Sequence, residues 1–200
     1  MNLIYILDLI GTFVFAISGL RLAAKKEMDL FGAAVIACVT AVGGGTTRDL
    51  LLGATPVAWI TNIHYPIAIL LAIPVTFLFH QYIVKLKRTI FIFDSIGIAL
   101  FTIIGTEKAL NFGLNPAMAI VLGMVSAVVG GVIRDILCNE IPLIFRKEIY
   151  AIACLIGAIF FYFLTQWGLD KDINYLLTTA VIFVIRVVSI KLKLSIPKMK

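Results

Sequence analysis

Charged side chains are scarce in this sequence: Asp, Glu, Lys and Arg make up 14% of its 200 residues. A soluble domain carries about 25% charged residues, whereas 62% of this chain is hydrophobic. A chain this short and this apolar lacks the polar surface that a water-soluble fold requires. We therefore expect an integral membrane protein in which residues 1–200 form a single membrane domain.

Cysteine and histidine are also rare, with three and two residues respectively. Cys38, Cys138 and Cys154 lie in apolar surroundings without CxxC spacing, which favours small apolar filler residues over a metal or redox site. His64 and His80 have no metal-ligating neighbour in the sequence. Hydrolase, metalloprotease and Walker A signatures are absent as well. The sequence thus predicts neither an enzyme nor a bound cofactor.

Long apolar runs dominate the chain instead. Each of seven runs approaches the roughly 20 residues that a helix needs to cross a bilayer core. These candidate spans are residues 3–22, 30–52, 64–84, 91–109, 116–138, 149–167 and 173–190. Nothing basic precedes the first run and Asp8 interrupts it, so we do not interpret it as a cleavable signal. The prediction is an all-α integral membrane protein with seven transmembrane helices, embedded in the lipid bilayer.

The basic residues are distributed unevenly between the two ends of these spans. Twelve lie on one side: Arg21, Lys25, Lys26, Lys85, Lys87, Arg88, Arg146, Lys147, Lys191, Lys193, Lys198 and Lys200. The other side has Lys108 and Lys171. The positive-inside rule places the first group in the cytoplasm, so in the inner membrane the N-terminus is outside and the C-terminus inside. Arg186 is expected to snorkel to the cytoplasmic surface. Basic residues between apolar runs suit a membrane surface, not nucleic acid.

A duplication relates the first half of the chain to the second, at an offset of 86 residues and without a gap between residues 5 and 79. The matched pairs are Asp8 and Asp94, Gly11 and Gly97, Phe15 and Phe101, Gly19 and Gly105, Gly44 and Gly130, Gly45 and Gly131, Arg48 and Arg134, Asp49 and Asp135, and Pro56 and Pro142. Repeat one covers about 3–84 and repeat two about 91–167, and a seventh helix at about 173–190 follows. Because each unit holds three spans, the second enters the membrane upside down, as an inverted repeat.

The most distinctive repeated motif reads AVGGGTTRDLLLG at residues 41–53 and AVVGGVIRDILCN at residues 127–139. Small residues recur at every fourth position before each aspartate, which lets helix backbones approach closely, within a subunit or between subunits. A neighbouring polar row comprises Thr40, Gly44 and Arg48 in the second span, and Ser126, Gly130 and Arg134 in the fifth. Charged residues within spans usually face a cavity or a partner.

Two functions remain open for the arginine–aspartate motif: a permeation path, or structural contacts between the two halves. Adjacent residues point about 100° apart on a helix, so each pair is poorly placed to bond with itself. We therefore expect pairing across the repeat, Arg48 with Asp135 and Arg134 with Asp49. Asp8 and Asp94, near the starts of spans one and four, are expected at helix N-termini as caps or dipole partners.

The cross-pairing requires the second and fifth helices to bend or unwind. Consecutive glycines are where a helix bends most easily, because glycine weakens a helix by about 1 kcal/mol relative to alanine. The candidate hinge positions are Gly43, Gly44, Gly45, Gly130 and Gly131.

Seven spans, a doubled three-span unit, GGGTTRD in the second span and GGVIRD in the fifth resemble the trimeric intracellular cation channel family, in its bacterial and archaeal branch. The resemblance covers nearly the whole chain. It implies a homotrimer with a pore in each subunit, hinges at the glycines above, and permeation of monovalent cations, potassium or sodium and chiefly potassium. It places Arg48, Asp49, Arg134 and Asp135 along the pore or its gate, beside the polar positions Thr40 and Ser126.

One position departs from this pattern. Val129 stands where the first unit has Gly43, so the second hinge has two glycines and is expected to be stiffer.

Related bacterial sequences have also been described as glycine transporters. A small-solute, glycine-like secondary transporter is therefore the alternative function, and a purely structural bundle is a third.

Overall fold

The computed structural model describes residues 3–83, 89–145, 149–192 and 194, and these residues form helices and short connections. The helices are α1 (Leu3–Lys25), α2 (Leu30–Leu52), α3 (Ala58–Thr61), α4 (His64–Leu78), α5 (His80–Ile83), α6 (Thr89–Asn111), α7 (Pro116–Leu137), α8 (Ala151–Gln166) and α9 (Lys171–Lys191). A 3-10 turn at Leu143–Phe145 lies between α7 and α8. Eight of the basic residues used to assign sidedness lie outside the described residues: Lys85, Lys87, Arg88, Arg146, Lys147, Lys193, Lys198 and Lys200.

Five helices are apolar and long enough to cross a membrane, namely α1, α2, α6, α7 and α9, each of 21 to 23 residues. The integral membrane class and the all-α class are thereby confirmed. The predicted third and sixth spans are shorter: α4 has 15 residues and is separated from α5 at Phe79, and α8 has 16. At 1.5 Å per residue α8 measures about 24 Å, somewhat less than the roughly 30 Å of a bilayer core. The count of seven crossings stays a prediction.

Helices α2 and α7 end in the same way, because the sequence supplies equivalent capping residues. Gly53 after α2 has φ 68°, and Asn139 after α7 has φ 52°, both in the left-handed region. The next backbone N–H in each case donates to the carbonyl of the motif aspartate, Asp49 or Asp135, at 2.8 Å. Both arginine–aspartate pairs therefore occupy the last turns of their helices, just before a sharp change in chain direction.

Helices α2 and α7 cross in direct backbone contact. A Cβ atom on Gly44 would overlap the carbonyl oxygen of Ser126, and one on Gly130 would overlap the carbonyl oxygen of Thr40. The two contacts exchange residues that are 86 positions apart, so the crossing is symmetric with respect to the repeat. Any larger side chain at either glycine would force the two helices apart.

The rows of small residues serve packing inside the subunit. Ala37 and Ala127 are fully buried. A Cβ on Gly19 of α1 would lie 2.9 Å from the Cα of Ala37, and one on Gly123 would overlap the hydroxyl of Thr106. Of the two packing roles left open by the sequence, close approach within one chain is therefore the one that the described residues show.

Around the crossing, α1 packs against α2, α6 packs against α7, and α1 and α6 pack against each other to form the centre of the bundle. Phe15 of α1 and Phe101 of α6, another pair at the repeat offset, meet there with ring centroids 5.1 Å apart. Helix α4 covers α1, and α8 and α9 cover α6 on the other side. Large apolar side chains such as Phe31, Leu78 and Trp167 point outward, which suits contact with lipid.

Arg186 on α9 is placed differently from the expectation, because it does not snorkel. Its side chain is buried, and its guanidinium lies 4.7 Å from the ring centroid of Tyr150 and 5.3 Å from that of Phe91. It also donates to the carbonyl of Ile149 at 3.0 Å. Two aromatic faces and a carbonyl stabilise the buried cation, so it fastens α9 to the start of α8.

Candidate functional site

The first arginine–aspartate motif forms a charged cluster at the end of α2, which we call the Arg48 cluster (Arg48, Asp49 and Lys108). Arg48 Nε donates to Asp49 Oδ1 at 2.7 Å, and Lys108 Nζ from α6 donates to the same oxygen at 2.8 Å. Arg48 and Asp49 are buried, whereas the Lys108 side chain is 29% exposed. One buried carboxylate thus holds two cations, and Lys108 is the one with access to water.

A small cavity of about 20 Å³ adjoins the Arg48 cluster and is lined in part by Asp8, Tyr65 and Trp59. Tyr65 Oη donates to Asp8 Oδ2 at 2.6 Å. Arg48 Nη1 is buried and has no hydrogen-bond partner within the described part of the chain. A space of this size holds about one water molecule, which could accept from that nitrogen.

The second motif forms the Arg134 cluster (Arg134, Asp135, Asp94 and Ser18), which ties α7 to α6 and α1. Arg134 Nε donates to Asp135 Oδ1 at 2.8 Å, and Nη1 donates to Asp94 Oδ1 at 2.9 Å and to Ser18 Oγ at 2.7 Å. The Arg134 and Asp94 side chains are fully buried. Two carboxylates around one guanidinium leave this cluster with a formal charge of −1.

A larger cavity, about 300 Å³, opens beside the Arg134 cluster and is lined by Arg134, Asp135, Arg21 and Glu140 among others. Glu140 also lies 3.1 Å from Lys26 Nζ. Charged side chains of both signs surround this cavity, so it suits water and ions. Its volume is many times that of the cavity at the Arg48 cluster.

The two clusters are well separated along the bundle. Asp94 lies near the start of α6 and Lys108 near its end, so 14 residues at 1.5 Å each place the clusters about 21 Å apart along that helix. Thr40 and Ser126 are buried between them, at the crossing of α2 and α7. The Thr40 hydroxyl donates to the carbonyl of Ile36 at 2.6 Å. Ser126 Oγ has no partner among the described residues.

The predicted cross-pairs, Arg48 with Asp135 and Arg134 with Asp49, are wrong. Each arginine instead bonds to the aspartate next to it. The backbone directions of adjacent residues do diverge by about 100°, but an arginine side chain is long enough to bend back and place its Nε beside the neighbouring carboxylate. The other oxygen of Asp135 accepts from the backbone N–H of Leu143 at 3.0 Å, so the aspartate also fixes the following loop.

Asp8 and Asp94 are likewise misplaced by the sequence prediction, because neither caps a helix. Asp94 is the sixth residue of α6 and pairs with Arg134, while Asp8 is the sixth residue of α1 and accepts from Tyr65. Lys108, which the sequence analysis used only to assign sidedness, reaches the buried carboxylate of Asp49. Both aspartates occur at matching positions of the repeat, and this match was the signal in the sequence for their role as partners inside the bundle. Nothing in the sequence identified Lys108 as a partner of Asp49.

The five candidate hinge glycines have three different surroundings, and α2 and α7 run as continuous helices through all of them. Gly44 and Gly130 form the crossing described above. A Cβ on Gly45 would lie 3.7 Å from Arg48 Nη2, and one on Gly131 would lie 3.7 Å from Arg134 Nη2. A Cβ on Gly43 would lie 3.2 Å from the Ile133 side chain of α7.

Comparison with known proteins gives a matching family model and similar membrane proteins. A family model described as "Glycine transporter" matches the chain twice, at residues 5–81 and at residues 91–166. A UPF0126 membrane protein of Vibrio cholerae is 42% identical over 197 residues, which cover 98% of this chain and 82% of that protein. The UPF0126 inner membrane protein YadS of Escherichia coli K12 is 44% identical over 158 residues, or 78% of this chain and 76% of YadS.

A solved structure is similar over almost the full length. It is the crystal structure of a TRIC trimeric intracellular cation channel orthologue from Rhodobacter sphaeroides, with 36% identity and a TM-score of 0.91. The match covers 97% of this chain and 100% of that one. The two matches of the family model fall on the two units of the predicted repeat.

Proposed function

Because the chain belongs to the prokaryotic trimeric intracellular cation (TRIC) channel family, we propose that it is a potassium-permeable channel, a homotrimer with one pore through each subunit. The bundle lies in the inner membrane, with the N-terminus outside and the C-terminus in the cytoplasm. The helices α1, α2, α4, α6, α7, α8 and α9 make the seven crossings, and the two three-helix units are inverted relative to each other. Supporting this arrangement, α2 and α7 share their C-terminal structure and exchange symmetric glycine contacts.

The proposed path runs from the small cavity at the Arg48 cluster, past the crossing of α2 and α7, to the wide cavity at the Arg134 cluster. The observation that carries the proposal is this pair of cavities, each beside a buried arginine–aspartate pair, about 21 Å apart along α6. The hydroxyls of Thr40 and Ser126 lie between them. At the Arg134 end, two carboxylates around one guanidinium would favour cations over anions.

The proposed path is blocked where α2 and α7 cross. Backbone contact at Gly44 and Gly130 leaves no space between α2 and α7 at their crossing. At the Arg48 cluster two cations share the Asp49 carboxylate, and a third unit charge 4 Å from one of them would be repelled by about 4 kcal/mol at an effective dielectric of 20. Opening therefore requires that the helices shift and that at least one cation leaves Asp49.

Lys108 is the cation that can leave. Its side chain is partly in water, whereas Arg48 is buried and bonded to Asp49 through its own Nε. When Lys108 swings into solvent, the Asp49 carboxylate retains one cation and becomes a weaker barrier to potassium. We therefore propose Lys108 as a latch on the Arg48 side, and Arg134, fixed by three partners, as a stationary part of the other end.

The decisive experiment measures current across a planar bilayer that contains the purified protein. Under a potassium chloride gradient, a cation channel gives a reversal potential close to that of potassium. Bilayers treated with protein-free detergent are the control. A correctly assembled protein that passes no current, or a reversal potential near that of chloride, would refute the proposal.

A glycine-like secondary transporter is the second candidate, and the description of the matching family model favours it. Uptake of radiolabelled glycine into proteoliposomes separates the two functions. A transporter gives saturable uptake against a concentration gradient when an ion gradient is applied, and no single-channel current. A purely structural bundle gives neither uptake nor current.

A further inference from the structure

Equivalent aspartates of the two repeat units have different partners. In the second unit, Asp94 accepts from Arg134 Nη1 at 2.9 Å. The equivalent residues of the first unit are Asp8 and Arg48. Arg48 Nη1 is buried without a hydrogen-bond partner among the described residues, while Asp8 Oδ2 accepts from Tyr65 Oη at 2.6 Å. The first unit therefore holds both members of this ion pair without a direct bond between them.

Asp8 and Arg48 nevertheless line the same small cavity, the one of about 20 Å³ at the Arg48 cluster. Val42 and Phe101 are among the apolar residues of its wall. Because the space holds about one water molecule, the two charged side chains are close across it. Opposite charges that are this close and surrounded by apolar side chains attract each other strongly, since little solvent lies between them to screen them.

The Arg48 cluster needs a further negative charge if cations are to pass it. Arg48 and Lys108 share one carboxylate, that of Asp49, so the cluster has a formal charge of +1. The Arg134 cluster has the opposite sign. A positive site beside the path repels a permeating cation. With Asp8 counted as a fourth member, two cations and two carboxylates sum to zero.

We infer that Asp8 is a further selectivity-determining residue, the counter-charge of Arg48 across the small cavity and the carboxylate that admits cations at the Arg48 end. The inference rests on the channel function proposed above and supplies the negative charge that this end otherwise lacks. Tyr65 uses one oxygen of Asp8, and the other is left for a bridging water molecule or a passing ion.

Asp8 also has a possible structural role, in which it fastens α4 to α1 through Tyr65. That role needs only a hydrogen-bond acceptor, which asparagine supplies as well as aspartate does. Selectivity needs the negative charge, which asparagine lacks. Asp8→Asn therefore separates the two roles, and the fold of this variant should persist because Tyr65 keeps its acceptor.

Reversal potentials in planar bilayers under a potassium chloride gradient test the inference, because they give the permeability ratio of potassium to chloride. We expect Asp8→Asn to lower this ratio roughly tenfold, the effect of one unit charge within about 10 Å at an effective dielectric of 20. Arg48→Gln removes a positive charge and should raise the ratio. The double variant loses one charge of each sign, so its ratio should return close to that of the unmodified protein.

Asp172→Asn is the matched control. It makes the same chemical change at an exposed position near the start of α9, which adjoins the end of α6 through Lys171 and Glu107. Its permeability ratio should be unchanged. An unchanged ratio in Asp8→Asn, an unchanged ratio in Arg48→Gln, or a double variant that stays as low as Asp8→Asn would each overturn the inference.

Thermal unfolding of the unmodified protein, the two single variants and the double variant in detergent gives a second readout that needs no current. If Asp8 and Arg48 attract each other across the cavity, the midpoint of the double variant should fall by less than the sum of the two single shifts. Additive shifts would overturn the pairing. Coupled shifts in a protein that passes no potassium current would refute the channel and leave the contact between Asp8 and Arg48 standing.

Discussion

Gly130 and Gly131 are consecutive residues on α7, and alanine at the two positions should have opposite effects. A Cβ on Gly130 would overlap the carbonyl group of Thr40, whereas one on Gly131 would meet no heavy atom closer than 3.5 Å, the Tyr150 hydroxyl. The obstacle at Gly130 is backbone, so it cannot rotate away, and α2 and α7 would have to separate. We therefore expect Gly130→Ala to destabilise the bundle and Gly131→Ala to preserve or improve it.

The expected difference in stability between the two variants follows from comparing the two substitutions with each other. Both gain the same helix propensity, about 1 kcal/mol, so that contribution cancels in the difference. What remains is the destabilisation caused by overpacking at Gly130, typically about 1–3 kcal/mol. For soluble chains of similar length, a change of 1 kcal/mol in the free energy of unfolding shifts the unfolding midpoint by roughly 2–4 °C. The unfolding midpoint of Gly130→Ala should then lie roughly 2–12 °C below that of Gly131→Ala.

Thermal unfolding of both variants in one detergent, followed by circular dichroism, measures this difference, and bilayer current gives a second readout. If Gly130 and Gly131 act together as a hinge, alanine should stiffen the helix at either position and reduce the current similarly in both. Equal midpoints with equally reduced currents would therefore refute the close-approach argument and support the hinge.

Four further outcomes are expected. Lys108→Gln should raise the potassium current and move the reversal potential further toward that of potassium, because Asp49 loses one cation; an unchanged current would exclude the latch. Arg134→Gln should cost about 3–5 kcal/mol of stability by leaving buried carboxylates unpaired, whereas Arg48→Gln should cost less because Lys108 still neutralises Asp49; equal midpoints would contradict this. A cysteine placed after Lys200 should react with a membrane-impermeant thiol reagent only in opened cells, and labelling of intact cells would reverse the orientation. Mass measurement in detergent should give three copies of the chain, and a fully active monomer would exclude the trimer.

The sequence by itself determined the class of this protein. With 14% charged residues, the chain could not cover itself with polar surface, and its apolar runs had the length of membrane helices. It also determined the duplication, since the match at an offset of 86 residues needs no structure to be seen. The doubled motif directed attention to Arg48, Asp49, Arg134 and Asp135, and these residues do lie in buried charged clusters.

The tertiary structure alone decided which partners those residues have. Helical periodicity gives the direction in which a side chain leaves the backbone, but it does not give the reach of a long side chain or the identity of the neighbouring helix. Arg48 therefore bonds to Asp49 despite the 100° between them, and Asp49 meets Lys108, which is 59 residues away in sequence. Asp94 became an ion-pair partner of Arg134 because α6 packs against α7 along its length. A glycine's neighbours are set by the same packing, which is why five glycines of one sequence motif came to lie in three different environments.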